Sequence, residues 1–151
     1  MMDERRGFPA RRLPLLWTGA LMLGSQLFFN GAAAGTPSCA AVPAGYTTLQ
    51  HKDYTLHFRP TPAPITVGTP FALEVLACPK DASRPVLDVA VDATMPAHGH
   101  GMLYRASVSK LSTHAWSAKG LLFHMHGSWR FSFVVRTPSG VDTLVHDANV
   151  R

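Results

Sequence analysis

An antiparallel β-sandwich is the fold class this sequence predicts, and three observations predict it. Beyond Tyr46 the apolar residues recur mostly with period two, the strand period, and no long segment keeps a helical period. Pro- and Gly-bearing turn signals interrupt those stripes at roughly regular spacing. Once an apolar leader is set aside, about 117 residues remain, enough for one domain and one core.

Tyr54, Leu56 and Phe58 make the first stripe. Pro60, Pro62, Pro64 and Gly68 then form a stiff connection that cannot be helix. Phe71, Leu73 and Val75 make the second stripe, closed by Pro79 and a polar stretch to Pro85. Leu87, Val89, Val91 and Ala93 alternate with Asp88, Ala90 and Asp92, which marks a half-buried strand of clear phase. Tyr104 to Val108 is the weakest strand of the series. Leu121 to Met125 and Trp129 to Val135 flank a tight turn at His126-Gly127-Ser128, and Asp142 to Val150 follows the Pro138-Ser139-Gly140 turn. Seven short strands result. Because antiparallel strands reverse direction, connections 59–70, 95–102 and 126–128 share one end of the sandwich. Connections 78–85, 110–120 and 137–141 share the other.

The N-terminus has the layout of a secretory signal. Arg5, Arg6, Arg11 and Arg12 form a positive region, and Leu13 to Phe29 runs almost free of charge. Asn30-Gly31 breaks the run, and Ala32-Ala33-Ala34 supplies the small residues a signal peptidase needs, which places the cut after Ala34. The alternative is an uncleaved anchor, because an apolar run of about 17 residues sits at the lower edge of what spans a bilayer. Arg5-Arg6-Gly7-Phe8 also has the form of a twin-arginine signal. The organisation expected is a signal peptide or anchor over 1–34, a strap over 35–50 and the sandwich over 51–151. That makes the domain periplasmic or otherwise extracytoplasmic, either released or tethered to the inner membrane, with membrane contact only through an uncleaved leader.

Four of the fourteen Lys/Arg and two of the nine Asp/Glu lie in the leader, so the rest of the chain carries only +3. No basic run and no aromatic-basic interleaving occurs, which excludes a nucleic-acid partner. Two cysteines, Cys39 and Cys78, survive cleavage. In an oxidising compartment an isolated pair of this kind points to a disulfide, and their spacing is not that of a redox CxxC. A lipid-anchored Cys39 is the other option, but Thr36-Pro37-Ser38 is a poor lipobox.

All eight histidines lie beyond the leader. The densest group is Met95-Pro96-Ala97-His98-Gly99-His100-Gly101-Met102, and the second is His124-Met125-His126. The reversal of strand direction puts both at the same end. Imidazole suits both oxidation states of copper, and the thioether adds selectivity for Cu(I). Zinc would favour a carboxylate or water beside the imidazoles, and no carboxylate flanks these motifs. The candidate ligands are His98, His100, Met102, His124, His126, Met95 and Met125. The competing reading makes them turn-fixing imidazoles and core-edge thioethers. In a strand, His124 and Met125 would point to opposite faces. His51, His57, His114 and His146 are surface or strand residues, and His114 belongs to the opposite end.

The string Asp92 to Met102, followed by Gly120-Leu121-Leu122-Phe123-His124-Met125-His126-Gly127-Ser128-Trp129, resembles the YtkA-like/FixH-like group of small exported bacterial domains. The resemblance covers roughly residues 50 to 150. It implies an immunoglobulin-like sandwich and links to copper handling and respiratory-oxidase maturation, with a copper- or haem-dependent membrane or periplasmic protein as partner. His126 departs from the group's pattern, which has Pro there. The expected function is a periplasmic metal-binding module, most readily for copper. The alternative is a non-metal structural or protein-interaction domain of a membrane or respiratory complex. No Ser-His-Asp arrangement occurs, and Asp88 and Asp92 lie in a strand without an acid/base partner, so the chain does not read as an enzyme.

Overall fold

Period-two alternation carries the apolar side chains of each strand to one face, and two such faces close on each other. The computed structural model describes residues 38–151, so the expected leader, its helix and its cleavage site lie outside the described residues. Nine strands form here: β1 (Thr47–Gln50), β2 (Tyr54–Thr61), β3 (Phe71–Pro79), β4 (Asp88–Met95), β5 (His100–Gly101), β6 (Ser107–Lys110), β7 (Ala115–Leu121), β8 (Gly127–Thr137) and β9 (Gly140–Val150). They make an antiparallel two-sheet sandwich, with order β1-β2-β3-β7-β6 in one sheet and β5-β4-β8-β9 in the other.

Leu56 and Phe58 of β2, Leu73 and Val75 of β3, and Trp116 of β7 share one core with Val89, Val91 and Ala93 of β4 and Phe131, Phe133 and Val135 of β8. Phe58 joins the layers, its ring 5.9 Å from that of Phe131 and 4.8 Å from that of Phe133. Aromatic pairs of this kind add about 0.5–1.5 kcal/mol beyond the area they bury.

The count of seven strands is corrected to nine. β1 offers the core one half-buried leucine, Leu49, and β5 is two residues long, so neither has a stripe to read. The strap expected over 35–50 therefore ends in a strand of the first sheet. The strand expected over 121–125 lies instead over Ala115–Leu121. Ala115, Trp116, Ser117 and Ala118 are all buried, which erases the alternation, while Phe123 is buried as a loop residue beyond the strand's end. The strand expected over 104–108 shifts to Ser107–Lys110 and leaves Tyr104 exposed. Pairing directions place 62–70, 96–106 and 122–126 at one end, and 80–87, 111–114 and 138–139 at the other. Misplaced boundaries did not alter that sorting.

The strap is fastened to the outer face of the first sheet at two points. Cys39 and Cys78 form a disulfide with a Cα separation of 5.5 Å, and this bond suggests an extracytoplasmic location. Tyr46 donates its hydroxyl to Glu74 Oε2 at 2.7 Å, and Arg59 Nη2 donates to the same oxygen at 2.8 Å while lying 4.9 Å from the centre of the Tyr46 ring. Glu74 and Cys78 stand on the outward phase of β3 and bracket Leu76, which is buried although it shares that phase. Burial first, then the bond to Glu74, pushes the Tyr46 phenol up to about 12. The Tyr46 hydrogen bond is the largest influence on Glu74 and holds its carboxyl below its usual range; partial burial opposes it, and Arg59 reinforces it.

Two outcomes follow from the strap. Closing a loop of 39 residues removes denatured-state entropy worth about 4 kcal/mol, so Cys39→Ser/Cys78→Ser should lower unfolding stability by about that amount in urea titrations. A loss under about 1 kcal/mol would show that the strap contributes little. Glu74 has a depressed pKa when folded, so its contribution is full above the ordinary carboxylate value of about 4.3 and is lost as pH falls through the folded value. The stability gap between the natural chain and Glu74→Gln should therefore be constant from pH 7 to about 5 and close below about 4.3. Urea unfolding across that range checks it, and a pH-independent gap counts against the assignment.

Candidate functional site: the His/Met tip

β4 ends at Met95, and the chain turns at once through a 3-10 turn over Pro96–His98. Gly99 adopts left-handed φ 66°, which only glycine takes without strain, and its N–H donates to Met95 O at 3.0 Å. β5 then folds back on β4, pairing His100 with Met95 and Gly101 with Thr94, and the Met102 N–H donates to Ala93 O at 3.2 Å. His98 is thus carried on a tight turn past β4, and His100 on the short edge strand β5 at the same end of the second sheet. The second loop, 122–126, leaves β7 of the first sheet and enters β8 of the second. The Gly68 N–H donates to Phe123 O at 2.8 Å, tying this loop to the 62–70 connection, and Trp129 Nε1 donates to Met125 O at 3.1 Å.

The two loops meet through imidazoles. The ring centres of His98 and His100 are 5.8 Å apart, and those of His100 and His124 are 5.1 Å apart. Two imidazoles sharing one ion through bonds of about 2 Å put their ring centres about 5–6 Å apart, so both separations fall in that window. Trp129 forms the floor, edge-on to His124 at 5.4 Å and to His100 at 6.0 Å, and its indole stacks on Phe123 at 4.2 Å and 9°. The His100 Nδ1 lies 3.2 Å from Gly101 O; a carbonyl only accepts, so Nδ1 is the donor in this bond, and in the neutral ring that tautomer leaves the lone pair on Nε2. A ligating imidazole is commonly held in this way. The His124 Nδ1 is buried and has no hydrogen-bond partner among the described residues. Among the described residues, no group of three or more His, Cys, Asp or Glu side chains converges as a metal site.

The other candidates separate. Met95 is 2% exposed and belongs to the core, its terminal methyl packed where a side chain at Gly127 would stand. Met102 and Met125 are half-buried and pack on the core edge, while His126 is exposed. His114 lies at the opposite end, its carbonyl accepting from the Ala77 N–H at 2.9 Å. His57 bonds to Thr48 Oγ1 at 2.9 Å, and burial lowers its pKa. His51 faces Asp142 at 3.7 Å and His146 packs on Phe58 at 5.2 Å, both away from the tip. Phe123 and Trp129 join the site residues; the turn expected at His126-Gly127-Ser128 is corrected, because Gly127 and Ser128 open β8 and carry Trp129 to the floor of the site.

No family model matches the sequence, and no curated protein is similar to it at the sequence level. The crystal structure of a DUF4426 family protein from Pseudomonas aeruginosa matches with a TM-score of 0.52 at 12% identity, covering 70% of this chain and 94% of that one. The two share a β-sandwich fold. At that identity the likeness extends to the fold alone.

Gly127 has φ 127°, and a Cβ there would collide with the Met95 methyl. Gly127→Ala should therefore cost about 1–3 kcal/mol, chiefly through backbone strain at this φ because the flexible Met95 methyl can shift, whereas the exposed Ser128→Ala should stay within about 0.5 kcal/mol. Urea midpoints of the two variants decide it, and equal midpoints would remove that strain from the account.

Proposed function

We propose that this domain is an exported metal-binding module, with copper as its ion and the His/Met tip as its site. The observation that carries the reading is the His100–His124 pair: two imidazoles from different loops, 5.1 Å apart, one with Nδ1 against a backbone carbonyl and the other with a buried Nδ1 that has no hydrogen-bond partner among the described residues. His98 is the third donor in line, and the half-buried Met102 and Met125 are the soft donors nearest in the chain. With both thiols in the disulfide, thioether and imidazole are the soft donors left to an ion such as Cu(I). No carboxylate lies in either loop, which favours copper over zinc.

Two further features support the finer family assignment. With β1 and β5 set aside, the order β2-β3-β7-β6 against β4-β8-β9 is the four-against-three arrangement of an immunoglobulin constant-type sandwich. The two motif strings that resemble the YtkA-like/FixH-like group form the two loops of the tip. On this reading the domain works in the periplasm, released or tethered, as carrier or accessory to a copper- or haem-dependent protein, and is not itself an enzyme.

The absence of a converging three-donor set among the described residues favours the second reading, a protein-interaction domain whose imidazoles pack on Trp129. Titration with Cu(I) separates the two. One ion per chain should bind with Kd below about 1 μM, and His100→Ala/His124→Ala should weaken it at least about 100-fold. His57→Ala/His146→Ala should leave binding unchanged. No binding tighter than about micromolar would hand the site to the second reading.

A further inference from the structure

A groove of about 560 Å³ lies beside the His/Met tip, where the loop following Met102 passes over the end of β7. Buried Leu121 and half-buried Leu122 form its floor, and exposed Tyr104, Arg105 and Lys119 stand on its rim. Leu103 and Tyr104, 68% and 71% exposed, are the most exposed large apolar side chains among the described residues, and they are adjacent. Two such side chains in water beside an apolar floor mark a contact surface rather than scattered exposure. Arg59, Arg84 and Arg130 each meet a carboxylate, but Arg105 and Lys119 form no ion pair among the described residues. Asp92 lines the neighbouring depression together with Arg105 and makes no ion pair with it.

The rim and the floor of this groove continue into the site. Tyr104 on the rim stands two residues after Met102, and Leu121-Leu122 of the floor lead into Phe123-His124. Whatever fills the groove therefore touches the two loops that carry His100 and His124. We infer that the groove docks a segment of a partner protein consisting of an aliphatic or aromatic anchor flanked by carboxylates, and that this partner gives or takes the metal held at the tip. The inference rests on the metal-binding reading for the partner's role, but not for the docking itself. The apolar floor selects the anchor, and the two rim cations, which meet no carboxylate among the described residues, select the acidic flanks. A lipid surface fits less well, because electrostatic recognition of anionic headgroups takes clusters of about 4–8 basic residues and the rim supplies two.

The test uses the ¹⁵N-labelled protein and three synthetic hexapeptides. Asp-Glu-Leu-Phe-Asp-Glu should shift the amides of 103–105 and 119–122 with Kd below about 1 mM. Arg105→Glu/Lys119→Glu should weaken it at least about fivefold, and 0.5 M salt should weaken it as well. Lys-Lys-Leu-Phe-Lys-Lys and Asp-Glu-Gly-Ser-Asp-Glu should leave those amides in place. Equal binding of the basic peptide, absence of any shift at millimolar peptide, or shifts produced only by phosphatidylglycerol vesicles would each overturn the inference. Cu(I) titration of the same variants keeps the two readings apart. The charge-reversed variant should hold copper with unchanged affinity, and His100→Ala/His124→Ala should still dock the acidic peptide. Failed docking with intact copper binding sinks the groove alone. Docking without copper binding leaves the acidic partner and removes its role in metal exchange.

Discussion

Antiparallel pairing of β4 with β8 runs unbroken from Asp88↔Arg136 to Thr94↔Arg130, and it sets two chain ends side by side: Met95, where the chain leaves β4, and Gly127, where it enters β8. The register is strongly held because β4 is two-sided. A slip by one residue would turn Val89, Val91 and Ala93 to water and bury Asp88 and Asp92 against Phe131 and Phe133. Exposing the two valines costs several kcal/mol, and burying an unpaired carboxylate costs more. Once that pairing is set, the loop after Met95 and the loop before Gly127 emerge together. The glycine admits the Met95 methyl and lets the two approach closely. The imidazoles meet for the same reason that the valines are inside.

This dependence explains which features were legible. β4 carries an alternation that the sequence shows without ambiguity, and the sorting of loops to two ends needs only the parity of the strands, not their bounds. Parity survived even though β7 starts six residues and ends four residues earlier than its apolar stripe suggests. β7 was hard to read because Ala115 and Ser117, on the outward phase, are covered as fully as Trp116 and Ala118. Period two describes a sheet with one wet face, and this sheet is covered on both over that stretch. Leu121 and Phe123 mimic a strand because they close the end of the core, where a loop residue is as buried as a strand residue.

The role of Met95 was written in the sequence and can be recovered from it. Val89, Val91 and Ala93 point inward, and Met95 is the next position of that series, so it belongs to the core before it belongs to any ligand set. His98 and His100 lie past the strand, where phase no longer applies, and only the hairpin geometry brings them near His124. Which imidazoles meet is a property of turn backbone, and turn backbone is the least periodic part of any chain.

The arrangement at the tip also bears on what kind of site it is. A structural metal centre is closed by four convergent donors, held so that the ion contributes to folding. Here the core is complete without an ion: Trp129 stacks on Phe123, and Met95 fills the space below the hairpin. The imidazoles sit above that finished surface and, among the described residues, meet in pairs rather than as a closed cage. On the metal-binding reading proposed above, an ion held by two imidazoles would keep open positions, and an incoming donor could take one before the first ligand leaves. That is what exchange between proteins would require, and on the same reading the adjacent groove would hold the second protein. A closed site would retain its ion against such exchange. The stability of the fold would then be separate from the openness of the proposed site, with the Trp129 indole between them.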